Sequence, residues 1–214
     1  MNTINCTICN KVMEPGKTHV CLNGKRFILM DKDDMDYNKI LDKKISNVDL
    51  DNLDNHYIDK DMVVPVLERM LEERNFSDKY LYDYICDHWC RIENGYDLET
   101  LAEYLCCYKS YDDYKTLKKR LKKQIDDKGY ITIYRGFNDY SREDGNSYTL
   151  SLDKAIWFSR RFAEEVSYVN TYKIHIYDVL AFITDRNEAE IVAMPDDVIL
   201  LETIKTKNDF CAKA

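Results

Sequence analysis

The hydrophobic period of this chain changes once, at Lys128-Gly129, and that change limits the folds open to it. Before it, apolar residues return every three to four positions, the period of a helix. After it they return every second position, the period of a strand half-buried on one face. The pattern predicts an α+β fold in which a helical N-terminal half precedes a β-sheet.

On the helical side, Met62, Val66, Leu67, Met70 and Leu71 mark one stripe. Ser77-Asp78 is an N-cap signal for a helix from Lys79 to Ile92, with Leu81, Tyr84, Ile85, His88 and Trp89 on one face. Asn94-Gly95 ends it, and Asp97 caps a further helix over Leu98–Tyr108. A third is expected over Tyr114–Asp126, with Leu117, Leu121 and Ile125 inward and Lys115, Lys118, Lys119, Arg120, Lys122 and Lys123 outward. The outward run reads first as a solvated face and second as a phosphate-attracting surface. On the strand side, Ile131 and Ile133 alternate with Tyr130, Thr132 and Tyr134. Residues 168–182 alternate again, and Ile191–Ala193 and Val198–Leu201 are short apolar strands. One helix, Leu152 to Glu165, is embedded among them.

Residues 31–61 carry ten aspartates against five lysines and little apolar patterning, and are expected to form a linker or wrap. Asp31, Asp33 and Asp34 lie close together, but the glycine and closing glutamate of a calcium loop are missing. The expected organisation is therefore residues 1–30 as a small hairpin, 31–61 as the linker, 62–127 as helices and 128–206 as a sheet. The helices are expected to pack in the same domain as the sheet. With 45% hydrophobic residues, 214 residues can bury a sizeable core. A net charge of −8 disfavours wholesale coating of nucleic acid. No window approaches the roughly 18 apolar residues of a membrane span, and Met1–Asn5 lacks the apolar run of a secretory signal. These features predict a cytoplasmic protein without a membrane partner, able to act inside a host cell. They are silent on oligomeric state.

The eight cysteines are clustered rather than spread. Cys6 and Cys9 form a C-x-x-C pair, and after the Pro15-Gly16 turn come His19 and Cys21, two apart. On a strand, residues i and i+2 project to the same face, so Cys6, Cys9, His19 and Cys21 have the layout of a structural zinc hairpin. Cys86, His88 or Cys90 is the alternative to His19 if the two segments meet. A redox C-x-x-C is the competing reading, but no βαβ pattern surrounds it.

Three short elements then occur in order: Tyr134-Arg135-Gly136, Ser147-x-Thr149 followed by Asp153–Phe158, and Glu188-x-Glu190. Together they resemble the arginine–serine–glutamate class of ADP-ribosyltransferases over roughly residues 128–204. The resemblance implies a split β-sheet, NAD as substrate, and transfer of ADP-ribose to a macromolecule. Glu190 becomes the catalytic carboxylate, held by Ser147, with Thr149 supporting the strand edge and the ribose. Arg135 takes the diphosphate, because a planar guanidinium fork suits it, and Gly136 gives the ligand access to the backbone. Trp157, Phe158 or Phe162 supplies the wall for nicotinamide. Glu188, two before Glu190, implies a protein arginine as acceptor and takes its proton.

The chemistry is coherent without the resemblance. Breaking the nicotinamide–ribose bond passes through an oxocarbenium-like state, which a nearby carboxylate stabilises where water is excluded. The alternatives are an NAD glycohydrolase, ADP-ribosylation of nucleic acid docked on the hairpin and basic helix, and a catalytically inactive zinc-containing binding module. The lysine-, asparagine- and tyrosine-rich composition suggests an AT-rich bacterial or phage genome. A toxin, a host effector and a regulator all fit.

Overall fold

The structure is a computed structural model and describes residues 4–5, 12–13, 18–20, 26–28, 43–50, 53, 58–73, 76–92, 95–163, 165–185 and 189–206. The chain divides into two compact units, Met1–Ile58 and Asp59–Ala214. In the first, β1 (Ile4–Asn5) pairs antiparallel with β2 (Val12–Met13), and β3 (Thr18–Val20) with β4 (Arg26–Ile28), His19 lying opposite Phe27. A helical turn spans residues 43–46. Cys6, Cys9 and Cys21 lie outside the described residues.

The second unit is a mixed α+β structure. Four helices come first: α1 (Val63–Glu73), α2 (Asp78–His88), α3 (Gly95–Tyr108) and α4 (Tyr111–Arg120). Ser77 caps α2 by accepting the Tyr80 N–H, and a 3-10 turn, Trp89–Arg91, continues it. The basic helix α4 begins a turn earlier than its hydrophobic pattern suggests. Ser110 and Asp113 form a reciprocal capping box that starts it at Tyr111, and Leu121 has already left helical geometry.

Six strands follow, β5 (Tyr130–Asn138), β6 (Ser147–Thr149), β7 (Ser167–His175), β8 (Ala181–Ile183), β9 (Glu190–Val192) and β10 (Val198–Thr206). They form one sheet in the order β10-β7-β5-β6-β9-β8, every neighbour antiparallel. Three long strands lie to one side and three short ones to the other, and the two groups join at the pair Tyr134↔Thr149. Helix α5 (Leu152–Arg160) lies between β6 and β7 in sequence and ends before the expected Glu165. Phe162 stands at φ 63°, a left-handed conformation that terminates a helix.

One face of the sheet meets α4, where Tyr114, Leu117 and Leu121 join Ile131, Ile133, Ile174 and Ile191 in the core. Helix α5 lies directly against β5 at Gly136. A Cβ there would stand 1.9 Å from the Ala155 carbonyl oxygen and 2.6 Å from the Ser159 nitrogen, so no larger residue fits. The Asn138 side-chain amide then donates to the Ser159 and Arg161 carbonyls at 3.0 and 2.8 Å, satisfying the exposed end of α5. Tyr82 ties α2 to the sheet through its hydroxyl, which donates to the Leu180 carbonyl at 2.8 Å.

Candidate active site

A cleft of about 700 Å3 opens where the two groups of strands join. Its walls come from β5, β6, the start of β9, the end of α5 and the 3-10 turn after α2. Ser147 and Thr149 enter it because β6 pairs with β5 on one side and β9 on the other, setting Thr149 opposite both Tyr134 and Glu190.

The carboxylate of Glu190 is held from the helical part of the unit. Trp89, 1% exposed, donates its indole N–H to Glu190 Oε1 at 2.9 Å and to Ser147 Oγ at 3.3 Å. The Cys90 thiol donates to Glu190 Oε2 at 3.8 Å. A carboxylate in partly dry surroundings gains more from such donors than one in water, and loses freedom to turn. The residue before it, Ala189, sits at φ 48°. Left-handed backbone in a non-glycine residue costs about 1–2 kcal/mol and persists only where the surroundings impose it. Ala189 and Phe162 are the non-glycine residues with positive φ among the described residues; Phe162 lines the cleft and Ala189 directly precedes Glu190, which does.

Arg135 also reaches the cleft, but its fork is directed at main-chain carbonyls. Nε donates to Glu143 O at 3.0 Å, Nη1 to Ser147 O at 2.8 Å, and Nη2 to Arg142 O and Asp144 O at 3.1 and 3.3 Å. Burial pulls its pKa below the usual arginine range, against the phenols of Tyr148 and Tyr172. Gly145 makes room for the guanidinium, since a Cβ there would lie 2.5 Å from Nη2. Arg135 thus clamps the β5–β6 connection. Arg135→Lys, which offers a point charge in place of a fork, is expected to lower unfolding stability by about 3 kcal/mol. The readout is the urea midpoint, with earlier tryptic cleavage at Arg142.

Of the residues expected at the site, Arg135, Gly136, Ser147, Thr149, Phe158, Phe162 and Glu190 line one cleft. Gly136 also accommodates the approach of α5, which leaves no room there for a Cβ. Thr149 Oγ1 accepts the Ser151 N–H at 3.1 Å and so shapes the turn into α5. Trp157 is 53% exposed and stands outside the lining, edge-on to Phe158 at 4.9 Å between ring centres. Glu188 lies outside the described residues. Trp89 and Arg161 are additions. The Arg161 guanidinium lies 4.9 Å from the Phe162 ring centre and 5.4 Å from that of Trp157.

Cys86, His88 and Cys90 are the alternatives to His19 beside Cys6, Cys9 and Cys21, and those three cysteines lie outside the described residues. Among the described residues no group of three or more His, Cys, Asp or Glu side chains is placed to hold a metal ion. Burial pushes the Cys86 thiol up to about 12, which keeps it protonated. His88, its pKa lowered by burial, has Nδ1 2.8 Å from the Tyr84 carbonyl oxygen and stacks on the Tyr84 ring.

Comparison with protein-family models, with curated proteins and with solved structures finds no match. No helix among the described residues is long and apolar enough to cross a membrane.

Proposed function

We propose that the cleft binds NAD and that the chain is a mono-ADP-ribosyltransferase with an ADP-ribosyltransferase-like split sheet, acting on a protein arginine side chain. The observation that carries the reading is the single indole N–H of Trp89 shared between Ser147 Oγ and Glu190 Oε1. It holds a hydroxyl and a carboxylate, 43 residues apart in the chain (190 − 147), toward one cavity. Such a pair suits a reaction that builds positive charge on a ribose carbon.

In this scheme Glu190 faces the ribose, accepting its 2′-hydroxyl and stabilising the cationic sugar as nicotinamide leaves. Ser147 orients Glu190. Phe158 and Phe162 flank the nicotinamide. Arg161, stacked on aromatic rings at the cleft, meets the diphosphate beside the N–H that the Arg135 fork has left over. The acceptor nitrogen attacks C1′, the glycosidic bond to nicotinamide breaks, and the guanidinium proton passes to Glu188. A structural zinc ion held by Cys6, Cys9, His19 and Cys21 accompanies this reading, since three thiolates and an imidazole are the donors zinc prefers. Metal content of the purified chain measures it.

The test is purified protein incubated with labelled NAD and a cell lysate. Label on protein, lost in Glu188→Gln while release of nicotinamide continues, is the expected result. Release of nicotinamide with no labelled macromolecule makes the chain a glycohydrolase, and no consumption of NAD overturns the proposal. Trp89→Phe tests the positioning. It removes one hydrogen bond to a charged group, about 1.5–3 kcal/mol, so turnover should fall about 10- to 100-fold. The KM for NAD should stay within about twofold, because Trp89 acts through Glu190.

A further inference from the structure

The face of the second unit at the far end of β5 carries a row of aromatic rings that the cleft does not use. Tyr111 stacks on Tyr114 at 5.8 Å, Tyr114 on Tyr177 at 4.5 Å, and Tyr177 on His175 at 5.1 Å, with interplanar angles of 25°, 14° and 26°. Tyr130 closes the row edge-on to His175 at 5.2 Å. Tyr114 is buried in the core, but its neighbours in the row reach solvent, Tyr111 being 69% and Tyr177 58% exposed. Each of three rings carries a lysine ammonium over its face, Lys115 on Tyr111 at 4.5 Å, Lys118 on Tyr114 at 5.8 Å and Lys173 on Tyr130 at 5.0 Å.

Beside this row runs an open groove of about 420 Å3 lined by Lys115, Lys118, Lys119, Lys122 and Ile125. Lys115 is paired with Asp112, while no ion pair among the described residues engages Lys119 or Lys122. In a chain of net charge −8, four lysines along one groove are a local reversal of sign. Rings alone would suit an apolar partner, and lysines alone a solvated helix face. Their interleaving fits a polyanion that also carries flat apolar plates.

We infer that this face is a docking surface for single-stranded nucleic acid, its phosphates along Lys115, Lys118, Lys119 and Lys122 and its bases against the exposed rings of Tyr111 and Tyr177. Stacking on aromatic rings beside a cationic track is sequence-tolerant and needs unpaired bases, whose faces a duplex hides. The surface is independent of the chemistry assigned to the cleft. At about 3.3 Å per residue, Tyr130 and Arg135 on β5 are about 17 Å apart, so a strand docked at one need not obstruct the other.

The experiment is fluorescence anisotropy of the full chain with dye-labelled oligouridine RNA, oligothymidine DNA and a duplex, each of about 20 nucleotides, and with polyglutamate. Both single strands are expected to bind more tightly than the duplex, RNA and DNA alike. Four neutralised phosphates give a slope of log affinity against log salt near −3, or about a 50-fold loss between about 50 and 200 mM salt. K118E/K119E/K122E should abolish binding. Should that variant fail to fold, K119Q/K122Q should flatten the slope by about 1.4. Y111A/Y177A should weaken single-strand binding by at least about fivefold with the slope unchanged. No binding at low salt, equal binding of polyglutamate, a duplex bound as well as a single strand, or indifference to the lysine variants each overturns the inference.

Discussion

Glu190→Gln is expected to lower NAD turnover by about 10²–10³-fold, the loss usual when one preorganised electrostatic partner of a transition state is removed. Glutamine keeps the shape of the side chain and an oxygen that can still accept the Trp89 N–H seen at 2.9 Å. What disappears is the negative charge that would face the developing cation. The unfolding midpoint should therefore hardly move while nicotinamide release collapses, both measured on one preparation. Wild-type turnover retained in the variant would remove the carboxylate from the chemistry. A midpoint that falls with it would make Glu190 a structural residue.

Gly136→Ala is expected to destabilise the unit as much as Arg135→Lys does, through packing instead of hydrogen bonds. The added methyl meets backbone, 1.9 Å from Ala155 O and 2.6 Å from Ser159 N, where no rotamer change relieves it. Either α5 lifts from β5 or the strand bends away. Overpacking that main chain has to absorb costs about 3 kcal/mol, and in a unit of this size lowers the melting temperature by about 10 °C. Because Phe158 and Arg161 come from the same helix and its end, the cleft should lose ligand affinity alongside. A melting temperature unchanged by the methyl would mean that α5 does not lie on β5 as described.

Much of this unit was legible in the chain's periodicity. The helices before Lys128 and the strands after it lie near where period 3.6 gives way to period 2, since each element buries one face. The differences fall where a polar cap or a backbone conformation decides. Ser110 and Asp113 start α4 ahead of its apolar stripe, and Phe162 stops α5 with a backbone conformation that hydrophobicity does not encode. Ser147, Thr149 and Glu190 were visible as short motifs because neighbouring strands bring their edges together. The partner of Glu190 was not. Trp89 reads in sequence as one more apolar residue on a helix face, and the direction of its N–H appears only once the fold is closed. The clamp made by Arg135 was hidden likewise, because carbonyl acceptors are the same in every residue type.

The bond from Trp89 to Glu190 spans 101 residues. During synthesis the indole emerges long before the acid it will steady, so a partly made chain contains no aligned carboxylate. On the proposed reading, NAD consumption would begin only once the strand carrying Glu190 had joined the sheet. By the same logic, a fragment carrying the sheet without the upstream helices would hold every expected motif and still lack the brace that aims them.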